Sequence, residues 1–146
     1  MIALILQEGQ PKAGVLEALD LIEAQGLKIG LATSSPFAMV EAVLGKLGIQ
    51  DRFMAVHSAE VERFGKPHPD VYIHAAEKLG VEPVHCLAIE DSFTGLLAAK
   101  AAGLSIMSGY ELFFFQGVDA FRLFTGQDVD QAALRLALKQ GEGVSV

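Results

Sequence analysis

The chain has 146 residues, of which 51% are hydrophobic and 20% charged, enough apolar material for one domain with its own core. Eleven Lys and Arg against eighteen Asp and Glu leave a net charge of −7, which argues against nucleic acid as a partner, because phosphate backbones select basic faces. Cys86 is the only cysteine, so no internal disulfide forms, as suits a reducing cytoplasm.

The opening "MIALILQEGQ" carries an apolar run with no basic residue before it. It is too short for a signal peptide or a membrane span, and no membrane partner is expected. "PKAGVLEALDLIEAQG" spaces Val15, Leu16, Leu19 and Ile22 as a helix does, with Gly26 as a stop. "LKIGLATSS" reads as a strand ending in hydroxyls, "PFAMVEAVLGKLG" as a helix closed by Gly48, and "FMAVHSAE" as a short strand. "HPDVYIHAAEKLG" is a helix with Pro69 near its start and Gly80 at its end. A strand "VHCLAIED", a helix "SFTGLLAAKAAG", a strand "LSIMSG" and a terminal helix "VDQAALRLALKQG" follow. "ELFFFQGVDAFRLF" holds five of the nine phenylalanines and reads either as an outer strand with core or as an exposed apolar patch that a partner covers.

Strands alternating with helices predict a single α/β domain over 1–146, with a mainly parallel sheet covered by helices on both faces. Ligands in such sheets sit beyond the carboxyl ends of the strands. Thr33, Ser34, Glu90 and Asp91 all fall at that edge. Two adjacent carboxylates at a strand end repel one another, and a divalent cation relieves the repulsion. Mg²⁺ takes oxygen ligands of this kind together with water and phosphate oxygens. Asp91 or Ser92 can instead cap the next helix, and both roles are compatible, with Ser92 capping and Asp91 on the metal. Thr33 and Ser34 lie at a strand-to-helix turn that suits phosphate oxygens, or serves as an ordinary helix cap. Lys66, in "GKPHPD", is stiffened by Pro67 and Pro69 and offers a held ammonium, or else a solvated surface lysine. His57 with Glu60, and His68, His74 and His85, show no ligand spacing and read as structural or solvent-facing.

Hydroxyls after one strand, a lysine before Pro-x-Pro and Glu-Asp-Ser after a later strand, in that order, resemble the haloacid dehalogenase-like (HAD) superfamily. The closest likeness is to its branch of sugar-phosphate phosphatases and β-phosphoglucomutases. The stretches "PKAGVLEALDLIEAQGLKIGLATSS", "SAEVERFGKPHPDVYIHAAEKLGV" and "LAIEDSFTGLLAAKAAG" carry the resemblance over roughly residues 11–108. It implies a Rossmann-like three-layer α/β/α core and a Mg²⁺-dependent phosphatase acting on a small phosphorylated metabolite, with a phosphomutase as the alternative. It also implies roles. Thr33 binds the transferring phosphoryl group with Ser34 beside it, and Lys66 steadies the nucleophile and the phosphoryl charge. Asp91 binds Mg²⁺ directly, and Glu90 helps to hold the metal site.

The resemblance further implies an Asp-x-Asp nucleophile motif at the end of a central first strand, followed by a helical cap domain. Neither is found before "PKAG". The only Asp-x-Asp, Asp128 and Asp130, follows "FTGQ" rather than a buried strand, and Asp130 reads as a helix cap. Residues 1–10 are then either the end of a lost cap helix, the favoured origin, or a replacement first strand. Little or no turnover is expected of the chain alone, and a non-catalytic module that binds phosphate and Mg²⁺ is the second reading. A phosphorelay receiver would carry its acids early and its lysine last, the reverse of the order here. The incomplete sheet and the phenylalanine-rich tail leave room for self-association.

Overall fold

The computed structural model describes residues 1–140. Internal contacts divide the chain into two compact units, residues 1–107 and residues 108 onward. In chain order the elements are α1 (Ile2–Glu8), α2 (Val15–Ala24), β1 (Gly30–Thr33), α3 (Phe37–Leu47), β2 (Ala55–Ser58), α4 (Asp70–Leu79), β3 (Leu87–Glu90), α5 (Phe93–Ala101), β4 (Ser105–Ser108), α6 (Tyr110–Thr125) and α7 (Gln131–Gln140). This is the α/β alternation expected from the hydrophobic pattern. Gly48 and Gly80 end α3 and α4 at φ values of 65° and 63°, a left-handed conformation that a Cβ disfavours.

In the first unit, β1 pairs with β2 in parallel, from Gly30 opposite Ala55 to Thr33 opposite Ser58. β3 pairs with β4 in a second two-stranded sheet. Each pair has its own core. Leu19 of α2, Ile29, Val40 and Leu44 of α3, and Ile49 pack beside β1 and β2. Val71 and Tyr72 of α4 pack with Ala88 of β3 and Ala98 and Ala99 of α5. The two alanines are fully buried, and their small side chains let α5 lie close to its neighbours. Ala32 of β1 packs against this second cluster, so α4 spans both strand pairs.

Between β1 and β3 the sheet is interrupted. An apolar groove of about 670 Å³ runs there, lined by residues of both strands and walled by α2 and α4. Leu87 and Ile89, on either side of buried Ala88, are 56% and 65% exposed. Among the described residues β1 pairs only with β2 and β3 only with β4, so each has an edge without a neighbouring strand, and Leu87 and Ile89 mark one uncovered face of β3.

Residues 2–8 do not supply that strand. They are helical, and α1 lies against α3. An unbroken apolar run has no period that separates helix from strand, and Ala, Leu, Gln and Glu tip the balance towards helix. In the second unit "ELFFFQGVDAFRLF" is also helical, not the outer strand that was one of its two readings. Phe114 and Val118, one turn apart, are buried, whereas Phe121, Leu123 and Phe124 are exposed. Asp130 Oδ1 accepts from the amides of Ala132 and Ala133 at 3.0 and 3.1 Å, so Asp130 caps α7 as its position suggested. Asp128 is paired with Arg122. No described helix is long and apolar enough to cross a membrane.

Candidate functional site

Thr33 and Glu90 are the last residues of β1 and β3, so the expected site residues stand on either side of the groove at its carboxyl end. Thr33 Oγ1 accepts the Ser35 amide at 3.0 Å, which leaves its own hydroxyl proton free to donate. Ser34 is exposed. The turn is braced from β2: the fully buried Ser58 donates to Ser35 O at 2.6 Å, and Glu60 accepts the Phe37 amide at 2.7 Å. Glu60 thus serves the first turn of α3 rather than His57.

Lys66 reaches across the end of the groove. Its Nζ donates to Glu90 Oε2 at 2.7 Å, to the Tyr72 hydroxyl at 3.1 Å and to Ala32 O of β1 at 3.4 Å. It also lies 4.7 Å from the centre of the Tyr72 ring. Its side chain is 9% exposed, so the reading of Lys66 as a solvated lysine fails. The prolines stiffen the loop, but the ammonium is held by a carboxylate and a phenol.

Glu90 is the hub. Its Oε2 accepts from Lys66 and from the Tyr72 hydroxyl, and its Oε1 accepts the Ser92 hydroxyl at 2.6 Å and the Ser92 amide at 3.1 Å. Burial opposes ionisation, but the bonds from Lys66, Ser92 and Tyr72 outweigh it and hold the Glu90 pKa at about 2. Burial first, and then the Glu90 carboxylate, push the Tyr72 phenol well above its usual range. Ser92 also caps α5, its Oγ accepting the Gly95 amide at 3.1 Å. Gly95 is required here for space, since a Cβ at this position would overlap the Glu90 carboxylate.

The adjacent acids therefore differ. The Glu90 oxygens already accept four bonds, whereas Asp91 is exposed and makes no hydrogen bond or ion pair among the described residues. A hard dication with an oxygen-rich shell fits Asp91, because Mg²⁺ is commonly held by one or two carboxylates and completes its shell with water and phosphate. At Glu90 a metal would have to displace one of the bonds from Lys66, Tyr72 or Ser92.

Tyr72 and Glu62 escaped the sequence reading. Tyr72 is an apolar-face position of α4 by spacing, and nothing in the sequence says that its hydroxyl meets Lys66 and Glu90. Glu62 lies beyond β2 and accepts from both His57 and His74, residues that a linear spacing does not relate. His68 and His85 sit beside Asp70 and Glu82 on the surface.

Residues 1–103 match the family profile described as haloacid dehalogenase-like hydrolase. Over 99 residues the chain is 48% identical to hexitol phosphatase B of Escherichia coli K12, covering 67% of this chain and 45% of that protein. Over 91 residues it is 40% identical to β-phosphoglucomutase of Bacillus subtilis 168, covering 62% and 39%. Among solved structures, CbbY from Rhodobacter sphaeroides in complex with phosphate superposes with a TM-score of 0.67 at 29% identity, covering 73% of this chain and 49% of that one. A putative β-phosphoglucomutase from Thermotoga maritima gives 0.63 at 34% identity, covering 65% and 44%. The chain spans less than half the length of these curated relatives. By the profile match over residues 1–103 and the 48% identity to hexitol phosphatase B, the chain belongs to the haloacid dehalogenase-like hydrolase family.

Proposed function

We propose that the chain is the phosphate- and metal-binding part of a Mg²⁺-dependent phosphatase. Its substrate is a small phosphorylated metabolite, a sugar or hexitol phosphate in class. The nucleophilic aspartate comes from outside residues 1–146, on a strand that enters the groove between β1 and β3. The observation that carries this reading is the reach of Lys66 from Ala32 of β1 to Glu90 of β3, across the open end of that groove.

In this reading the Thr33 hydroxyl and exposed Ser34 donate to the phosphoryl oxygens. Lys66 offsets their charge, and its long bond to Ala32 O is the one that an incoming carboxylate or phosphoryl oxygen replaces. Glu90, Tyr72 and Ser92 hold the ammonium in place. Asp91 would hold Mg²⁺, which supplies further charge neutralisation at the phosphate when bound. An aspartate oxygen attacks phosphorus, the alcohol leaves, and water then cleaves the aspartyl-phosphate. The chain alone binds without turnover, because the attacking group is not in it.

Calorimetry with inorganic phosphate and Mg²⁺ tests the binding half. Binding that weakens in Thr33→Ala and Asp91→Ala is expected, and no heat at millimolar concentrations overturns it. Hydrolysis assays with hexitol phosphates test the other half. Robust Mg²⁺-dependent turnover by this chain, abolished in Asp91→Ala, would show that the nucleophile lies within it after all. The missing strand is tested by fusing an apolar segment ending Asp-x-Asp ahead of residue 1, which is expected to raise turnover above that of the chain alone.

A further inference from the structure

Away from this rim, His57 near the end of β2, Glu62 in the segment after it and His74 on α4 converge. His57 Nε2 is bonded to Glu62 Oε1, and His74 Nδ1 lies 2.6 Å from the same oxygen. The imidazole rings stand edge to face, with centroids 5.5 Å apart and planes at 78°. One ligand atom from each residue lies within 4.8 Å of the others. The His57 and Glu62 side chains are 6% and 7% exposed, whereas that of His74 is 42% exposed and opens the cluster to solvent. His57 Nδ1 is buried and has no hydrogen-bond partner among the described residues. His57 therefore spends its one polar contact on the point where the three residues meet.

We propose that His57, Glu62 and His74 form a binding site for a borderline transition-metal dication, zinc foremost, with the remaining coordination position open to water beside His74. Two imidazoles and one carboxylate are the donor set that zinc takes, whereas Mg²⁺ prefers an all-oxygen shell. Donors around a tetrahedral zinc stand roughly 3.3 Å apart, so the present spacing needs side-chain shifts of about 1 Å and no backbone rearrangement. The ligands come from a strand, the segment leading to Lys66 and a helix, so the ion clamps three parts of the first unit together. Zinc takes imidazole and carboxylate in their deprotonated forms, so binding tightens as pH rises. The site is independent of the proposed phosphatase reading and stands or falls without it.

The test is a zinc titration of the full chain in a metal-buffered solution, repeated with Co²⁺ to read the visible ligand-field band. One equivalent is expected, with a cobalt spectrum of low coordination number and a thermal midpoint that rises with zinc. His74→Ala removes only the exposed ligand, so it keeps the fold, and it should weaken binding by about tenfold or more. Glu62→Gln should act in the same direction, while Cys86→Ala, which removes the one thiol, should leave binding unchanged. Unchanged affinity in His74→Ala, binding lost in Cys86→Ala, or no stoichiometric uptake by the folded chain would each overturn the site.

Discussion

Lys66 and Glu90 form an ion pair at 2.7 Å with both side chains about nine-tenths buried, and the pair bridges the loop before α4 and the end of β3. Burial on this scale makes the pair costly to break from one side only. Lys66→Met leaves the Glu90 carboxylate without its cation, and destabilisation of about 3–5 kcal/mol is expected in urea unfolding at neutral pH. Glu90→Gln keeps an acceptor for Tyr72 but strands the ammonium, so it too should destabilise. Loss of less than about 1 kcal/mol in Lys66→Met would mean that the pair is effectively solvated.

The same pair sets an acid limit. The Glu90 pKa is about 2 in the folded chain against 4.5 for the free group, a depressed carboxylate. Its contribution is complete above pH 4.5 and is lost as pH falls through 2. The shift corresponds to roughly 3 kcal/mol. Stability measured by denaturant titration between those pH values should fall in the parent chain and fall less steeply in Glu90→Gln. Tyr72 acts at the other end: its raised pKa contributes stability that is lost as pH rises above the usual phenol range near 10.

Gly95 sets two effects against each other. Alanine in a helix interior is favoured over glycine by about 1 kcal/mol. At Gly95, however, the added Cβ overlaps the Glu90 carboxylate, which is pinned by four bonds and cannot swing away freely. The steric term wins, and Gly95→Ala is expected to destabilise by about 1–3 kcal/mol. A neutral or stabilising result would show that the carboxylate has another rotamer available.

Ser92 and its neighbour Asp91 should separate cleanly. Ser92→Ala removes both the α5 cap and a bond to Glu90, which predicts a loss of about 1–2 kcal/mol. Asp91→Ala alters an exposed side chain with no partner among the described residues, so stability should stay within about 0.5 kcal/mol while Mg²⁺ binding weakens. Thermal melts of the two variants, with and without Mg²⁺, check both statements.

Periodicity and turn chemistry in the sequence were enough to determine α2 to α5, β1 to β4 and α7. The helices α2, α3, α4 and α7 carry apolar residues at helical spacing, and glycine or hydroxyl residues bound most of the segments. That Thr33, Glu90 and Asp91 fall at one rim was legible too, because parallel strands deliver their carboxyl ends to one edge, whereas the reach of Lys66 from the loop before α4 was not. At 2–8 helix and strand were both open and the helix forms, while the helix at 110–125 was not legible, since a continuous apolar or aromatic run carries no period that distinguishes helix from strand until its neighbours bury one face. Only the tertiary structure decided how the two acids divide their work. Glu90 turns inward because Lys66, Tyr72 and Ser92 converge on it from three elements, and Asp91 remains outside. The joining of His57, Glu62 and His74 was likewise decided in space, since side-chain convergence depends on how strand, loop and helix pack and not on their separation along the chain.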